Sequence, residues 1–79
     1  MEFLYTILLM GGAMKPGEVK RRLEAEGWVE LPGGRTSHRN YKHPSKPGKV
    51  QVPFHPGDIN PITLKNIGKQ SGVSMSHRG

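Results

Sequence analysis

Apolar positions recur along this chain with two different periods, and the change between them predicts where helices give way to strands. Val19 and Leu23 lie four residues apart among charged side chains, as on one face of an amphipathic helix. Pro16 suits the first turn of such a helix, and Gly27 suits the position just after its end. We therefore predict a first helix over residues 16–26.

Three short segments after this helix have the character of β-strands. Residues 28–31 and 37–43 flank a loop rich in proline and glycine, and residues 49–54 alternate between apolar and polar side chains. A turn is predicted at residues 45–48. The pattern leaves open which of two consecutive residues faces the core, Trp28 or Val29.

A second helix is predicted after Asn60, which suits an N-cap, with Pro61 at its first position and Gly72 at its end. Its apolar side should comprise Ile62, Leu64 and Ile67, with Val73 as a further candidate. The order of elements is then α-β-β-β-α. We expect an α+β fold in which a three-stranded antiparallel sheet carries both helices on one face.

Strand parity predicts which side chains face the helices, because successive residues of a strand point to opposite faces. In the second strand, Tyr41 should point into the core. The polar set on the other face is then His38, Asn40 and Lys42. Either Lys49 or Gln51 is expected across from His38. The core-facing residues of the third strand should be Val50, Val52 and Phe54.

Charge adds the first indication of a partner. The chain has 79 residues, enough for one small domain, with 12 Lys and Arg against 6 Asp and Glu, a net charge of +6. No acidic residue occurs between Glu30 and Asp58, so this segment carries one sign of charge and favours an anionic partner such as nucleic acid. The absence of cysteine excludes disulfides and thiolate metal sites.

Residues 1–13 differ from the rest, because residues 3–10 are apolar except for Thr6. This run is too short to span a bilayer, which takes about 20 residues, and it lacks the basic start of a secretory signal. We interpret it as the result of a start codon assigned upstream of the true one, or as a poorly ordered extension. The alternatives are an added strand, a docked helix or a dimer contact. We expect a domain at residues 14–73, a polar tail at 74–79, and a cytoplasmic location without membrane contact.

His38 is the candidate for chemistry, since an imidazole can both accept and give a proton near neutral pH. RNA carries its own nucleophile, the 2′-hydroxyl, so its cleavage needs a base, an acid and cations, and no metal or other cofactor is called for. The alternative is a plain surface histidine in a binding module. The candidate RNA-binding residues around it are Arg35, Ser37, Arg39, Lys42 and Lys49.

The other histidines are expected to have no catalytic role. His43 should hydrogen-bond a turn, and His77 lies in the polar tail. His55 is expected to have a structural role in its own loop; the alternative is that this loop folds back and brings His55 near His38. A metal site built from His38, His43 and His55 is not favoured, because their spacing matches no usual pattern of ligands.

Four segments of the chain follow one another as they do in a known family: residues 15–28, 37–44, 47–53 and 62–72. The second of them, Ser-His-Arg-Asn-Tyr-Lys-His-Pro, is close to a family motif Gly-Ser-His-x-x-Tyr/Phe-x-His-Pro, with Thr36 where glycine is usual. On these segments, residues 14–73 resemble the HicA family of bacterial toxins, small mRNA interferases also described as YcfA-like proteins.

The resemblance implies a fold like that of double-stranded-RNA-binding domains. It also implies an endoribonuclease that cleaves mRNA without a metal, with His38 as its general acid or base, and a HicB-type antitoxin that covers the face bearing His38. Two other functions stay open, a non-catalytic RNA-binding module and an inactive toxin homologue that acts by binding its antitoxin.

Overall fold

The computed structural model describes residues 14–33 and 37–75 of the chain. Within these residues there are two helices and three strands, in the order α1 (Pro16–Ala25), β1 (Val29–Glu30), β2 (His38–His43), β3 (Lys46–Pro53) and α2 (Pro61–Ser71). The order α-β-β-β-α and the α+β class are those predicted from the sequence.

The three strands form one antiparallel sheet with β2 in the centre. The predicted turn at residues 45–48 is wrong, since the chain turns at residues 44 and 45 and β3 already begins at Lys46. The pairing shifts between Lys42 and His43, which lie opposite Lys49 and Lys46. Residues 47 and 48, a proline and a glycine with φ of 78°, therefore fill a bulge within β3.

Both helices begin at the predicted prolines; α2 ends just before Gly72, as predicted, and α1 ends at Ala25, one residue before the predicted Glu26. At the start of α2, the backbone N–H of Ile62 donates to Oδ1 of Asn60 at 2.8 Å. At its end, Gly72 has φ of 75° and its N–H donates to the carbonyl of Gly68 at 2.8 Å. The Lys46 ammonium also donates to the carbonyl of Ser71 at 3.1 Å, which joins the end of α2 to the start of β3.

One hydrophobic cluster lies between the sheet and the helices. Tyr41, Val50 and Val52 are buried in it, as predicted, and Phe54 is partly buried against it. The structure also decides the question left open in β1: Trp28 lies in the core, whereas Val29 is 59% exposed on the opposite face. The helices and this core thus cover one face of the sheet and leave the other uncovered.

The predicted core side of α2 is wrong at one position. Ile62 is 72% exposed, whereas Ile59, in the loop before the helix, is buried in the core at 1% exposure. The inward face of α2 carries Leu64, Ile67 and Ser71 at helical spacing. A residue two positions before Leu64 lies about 200° away around the helix, so it faces outward.

The predictions for residues 1–13 and 76–79 fall outside the described residues, and the proposed division at residues 14 and 73 stays a prediction. Met14 and Met75 are the first and last described residues. Met14 is buried in the core, and Met75 packs against it. No helix in residues 14–33 or 37–75 has the length and apolar character needed to cross a membrane.

Candidate functional site

The uncovered side of the sheet, here called the open face, is defined by side chains that alternate with core residues. The open face comprises Val29 of β1, His38, Asn40 and Lys42 of β2, and Lys49, Gln51 and Pro53 of β3. Pro53 lies across from His38, so the prediction of Lys49 or Gln51 at that place is wrong. Gln51 lies across from Asn40, and Lys49 lies across from Lys42.

His38 is an exposed residue at the first position of β2. Its Nδ1 lies 3.3 Å from the hydroxyl oxygen of Ser37. The carbonyl of Ser37 in turn accepts a 2.8 Å hydrogen bond from the N–H of Phe54, which fixes the serine at the end of the sheet. The serine thus engages Nδ1 and leaves Nε2 as the nitrogen that can exchange a proton with a bound molecule.

Lys42 and Lys49 face each other directly across β2 and β3, and both are exposed. Two like charges at opposed positions of a sheet destabilise it, and a bound anion between them removes that repulsion. Lys42 is four residues from His38, a separation of about 13 Å along a strand. The two lysines therefore suit an anionic group beside the one that contacts His38.

Arg39 lies on the other side of the sheet from His38. Its guanidinium carbon is 4.3 Å from the centroid of the Phe54 ring, and its Nη1 is 3.7 Å from Oε2 of Glu30. Because adjacent strand residues point to opposite faces, Arg39 could have been placed on the face opposite His38 from the sequence alone. Arg35, the other predicted RNA-binding arginine, falls outside the described residues.

Glu30 joins β1 to α1 and β2 on the covered side of the sheet. Its Oε1 accepts hydrogen bonds from Lys20 at 2.9 Å and from the Tyr41 hydroxyl at 3.1 Å. The hydrogen bond from Lys20 lowers the pKa of Glu30 against the opposing effect of desolvation, and Tyr41 lowers it further. Burial, and then the bond to Glu30, raises the pKa of Tyr41, so the phenol stays protonated.

His43 has the structural role that was predicted for it. The N–H of Ser45 donates to its Nδ1 at 2.9 Å, so Nε2 carries the proton and donates to the carbonyl of Glu26 at 3.0 Å. The ring also meets Trp28 edge-on, with centroids 5.3 Å apart. Both ring nitrogens are therefore occupied in holding the β2–β3 turn against the end of α1.

His55 is exposed in the loop before α2, and its Nδ1 donates to the carbonyl of Pro56 at 3.2 Å. His38, His43 and His55 thus have separate surroundings. Across residues 14–33 and 37–75, no three His, Asp or Glu side chains are grouped so that they could hold a metal ion.

With the site described, comparison with known proteins identifies the family. A family model described as "HicA toxin of bacterial toxin-antitoxin" matches residues 17–73, more than half of the chain. The chain belongs to the HicA toxin family. A solved chain from a toxin–antitoxin complex of Streptococcus pneumoniae has 29% sequence identity and a TM-score of 0.65, over 75% of this chain and 97% of that chain. No curated protein matches.

The HicA resemblance seen in the sequence is thereby confirmed, and the chain is a toxin of a toxin–antitoxin system, in a family of generally nuclease-type toxins. The matched segment contains α2, all of α1 except its first residue, and the whole open face. Sequence reasoning did not find the contact between Arg39 and Phe54, because these residues are 15 positions apart and nothing local indicates that they meet.

Proposed function

We propose that this HicA toxin is an endoribonuclease that cleaves mRNA without a metal ion, with His38 as general acid or base. The observation that carries the proposal is the exposed imidazole at the end of a cationic sheet face, with its Nδ1 engaged by Ser37 at 3.3 Å. Its Nε2 is left to meet RNA. His43, by contrast, uses both ring nitrogens inside the fold.

The chemistry follows from the substrate. In the base role, unprotonated Nε2 takes the proton of an RNA 2′-hydroxyl, and the resulting oxygen attacks the adjacent phosphorus. The bond to the 5′-oxygen of the next nucleotide breaks, and that oxygen takes up a proton. The products are a 2′,3′-cyclic phosphate and a 5′-hydroxyl. In the acid role, protonated Nε2 supplies that last proton instead.

The protonation state of His38 decides between the two roles. In the neutral ring whose Nδ1–H donates to the hydroxyl oxygen of Ser37, Nε2 is unprotonated and acts as a base. In the doubly protonated ring, Nδ1–H donates to the same oxygen and Nε2–H acts as an acid. Ser37 therefore serves the proposed site as the residue that orients the ring, in addition to its predicted contact with RNA.

Lys42 and Lys49 are proposed to bind backbone phosphates next to the one that is cleaved. Their mutual repulsion across the strands favours an anion at that place, and each lysine offers an ammonium group on a flexible stem. Arg35 keeps its proposed RNA-binding role, and Arg39 contributes from the other side of the sheet.

We further propose that a HicB-type antitoxin binds the open face and blocks His38, in the cytoplasm where mRNA is found. A toxin with an exposed nuclease site needs such a cover. The open face offers a partner both charge, from Lys42 and Lys49, and an apolar contact at Val29, which is 59% exposed beside Lys42.

Induced expression of wild-type toxin and His38→Ala, with mRNA integrity and growth followed over time, tests the proposal. His38→Ala should cleave RNA about 10²- to 10⁴-fold more slowly. His77→Ala, outside the family-matched segment, is the matched control and should remain toxic. Equal cleavage by wild type and His38→Ala would remove His38 from the mechanism. Salt-sensitive RNA binding with no cleavage by wild type would favour the non-catalytic binding module.

A further inference from the structure

A concave surface lies at the start of α1, around the end of the sheet from His38. We call it the end groove; the residues that matter to its chemistry are Lys15, Pro16, Arg39, Phe54, His55 and Pro56. Its volume of about 420 Å³ is within the range of sites that bind small organic groups. Of this surface, the functional proposal uses only Arg39, to which it assigns no part of the RNA.

The end groove is built from flat groups. The Arg39 guanidinium lies over the Phe54 ring at 4.3 Å, and the lining also includes the rings of two prolines and one imidazole. Glu30 approaches Arg39 at 3.7 Å from the covered side and helps to keep the guanidinium in place. Stacked aromatic and guanidinium planes are the surfaces on which proteins hold unstacked nucleobases.

The charge of the end groove also fits a nucleotide. Its lining includes Lys15 and Arg39, and no carboxylate side chain lines it among the described residues. Lys15 is paired with Asp58 at 3.3 Å, but both groups are well exposed to solvent, so this pair is weak and screened. Lys15 can therefore contact a phosphate while the base occupies the apolar part of the groove.

The end groove and His38 are joined through the backbone. Pro53 lies across from His38, and the next residue, Phe54, donates its N–H to the carbonyl of Ser37 at 2.8 Å. Phe54, which lines the groove, is therefore one position beyond the residue that pairs with His38, and it lies on the opposite side of the sheet from His38. A single RNA strand that passes over this end contacts both surfaces.

We propose that the end groove binds a nucleobase of single-stranded RNA beside the phosphate that His38 addresses, an inference that rests on the proposed ribonuclease function. Duplex RNA cannot use the groove in this way, because its bases are stacked and paired. The groove thus gives the toxin a preference for unpaired RNA, with Phe54 and Arg39 as the residues that determine it.

Binding is measured by fluorescence anisotropy on the full chain, with a labelled single strand of about eight nucleotides, a length within the site sizes of such binding surfaces. Every 2′-hydroxyl is methylated, so the probe cannot be cleaved. Phe54→Leu and Arg39→Lys should each bind roughly tenfold more weakly. Phe54→Tyr should bind like wild type, as should Arg21→Lys, whose guanidinium pairs with Glu18 on α1.

Probes with a single abasic position distinguish base binding from a change in the fold. Wild type should lose affinity at one probe position, and Phe54→Leu should be insensitive to the loss of that base. The proposal is overturned if Phe54→Leu and Arg39→Lys bind like wild type, or if abasic positions affect Phe54→Leu and wild type equally. The proposal is also overturned if Phe54→Leu weakens binding of an antitoxin but not of RNA.

A cleavable RNA run in parallel separates this proposal from the proposed function. If wild type binds the probe with the expected dependence on Phe54 but cleaves nothing, the ribonuclease function fails and the base site stands. If wild type cleaves and the groove variants bind and cleave equally well, the base site fails and the ribonuclease function stands.

Discussion

The ring of His43 occupies the space that a side chain at position 27 would need. A Cβ placed on Gly27 would lie 2.8 Å from Nε2 of His43, and Gly27 has φ of 95°. The same Nε2 donates to the carbonyl of Glu26 at 3.0 Å. The turn after β2 is thus held against the end of α1 by one histidine, which sets the position of the strand that carries His38.

This relationship predicts a difference between two glycines with nearly the same positive φ. Gly27→Ala should destabilise the fold by about 2–3 kcal/mol, because it adds a clash with His43 to the strain of positive φ. Gly57 has φ of 94° with nothing within 4 Å of its added Cβ, so Gly57→Ala should cost only about 1 kcal/mol. Urea unfolding measures both values.

Removal of the ring should relieve the clash. His43→Ala loses two hydrogen bonds and should cost about 1–2 kcal/mol. In that background, Gly27→Ala should cost no more than Gly57→Ala does. Costs for Gly27→Ala and His43→Ala that simply add would show that the two positions are independent and would contradict the contact.

Acid should weaken the fold through Glu30. Its pKa lies below the ordinary 4.5, chiefly because of the hydrogen bond from Lys20. A carboxylate with a lower pKa in the folded chain stabilises the fold above its ordinary pKa, and this contribution is lost as the pH falls through the folded-state pKa. Glu30→Gln should therefore reduce the loss of stability below pH 4.5, measured by thermal unfolding across a pH series.

Glu26→Gln is the matched control for this experiment. Glu26 is exposed at the end of α1, and no pair to its carboxylate is found among the described residues. Its replacement should leave the acid dependence of unfolding close to that of wild type. If Glu26→Gln and Glu30→Gln changed the acid dependence equally, the hydrogen bonds to Glu30 would not be its source.

The lysine pair on the open face should set the salt dependence of RNA binding. Lys42→Met and Lys49→Met should each reduce the slope of log affinity against log salt by about 0.7, the value for one phosphate contact on a single strand. Lys65 is exposed on α2, away from this face, and Lys65→Met should leave the slope near that of wild type. Equal effects at all three lysines would indicate a response to net charge only.

The N-cap of α2 should contribute measurably to stability. Asn60→Ala removes the acceptor for the Ile62 N–H and should cost about 1 kcal/mol. Asn66 is an exposed residue in the middle of the same helix, where alanine has the higher helix propensity, so Asn66→Ala should be neutral or slightly stabilising. Thermal unfolding of the two variants separates the cap from a general effect of the substitution.

The predictions that succeeded from the sequence depend on residues close together in the chain. Asn60 and Gly72 mark the ends of α2 through contacts with residues two to four positions away. Tyr41 faces the core because strand alternation leaves one apolar residue among polar ones. The family resemblance likewise rests on the order of short local segments, and the match over residues 17–73 confirms it.

The predictions that failed depend on how separate elements pack. Hydrophobicity predicts that Ile62 lies in the core, but α2 contacts the core through Leu64 and Ile67, and the loop residue Ile59 is buried there instead. The predicted turn covers residues 45–48, whereas pairing between β2 and β3 makes residues 47 and 48 a bulge. Such choices depend on which residues meet across the sheet, and sequence spacing does not specify that.

By itself, the sequence determined the order of elements, the helix caps, the open-face position of His38 and the HicA family, because each follows from local geometry or from a linear motif. The tertiary structure decided which residue lies across from His38, the burial of Trp28 rather than Val29, and the contact between Arg39 and Phe54. These relations arise when strands register and helices pack, because residues far apart in the chain then compete for the same space.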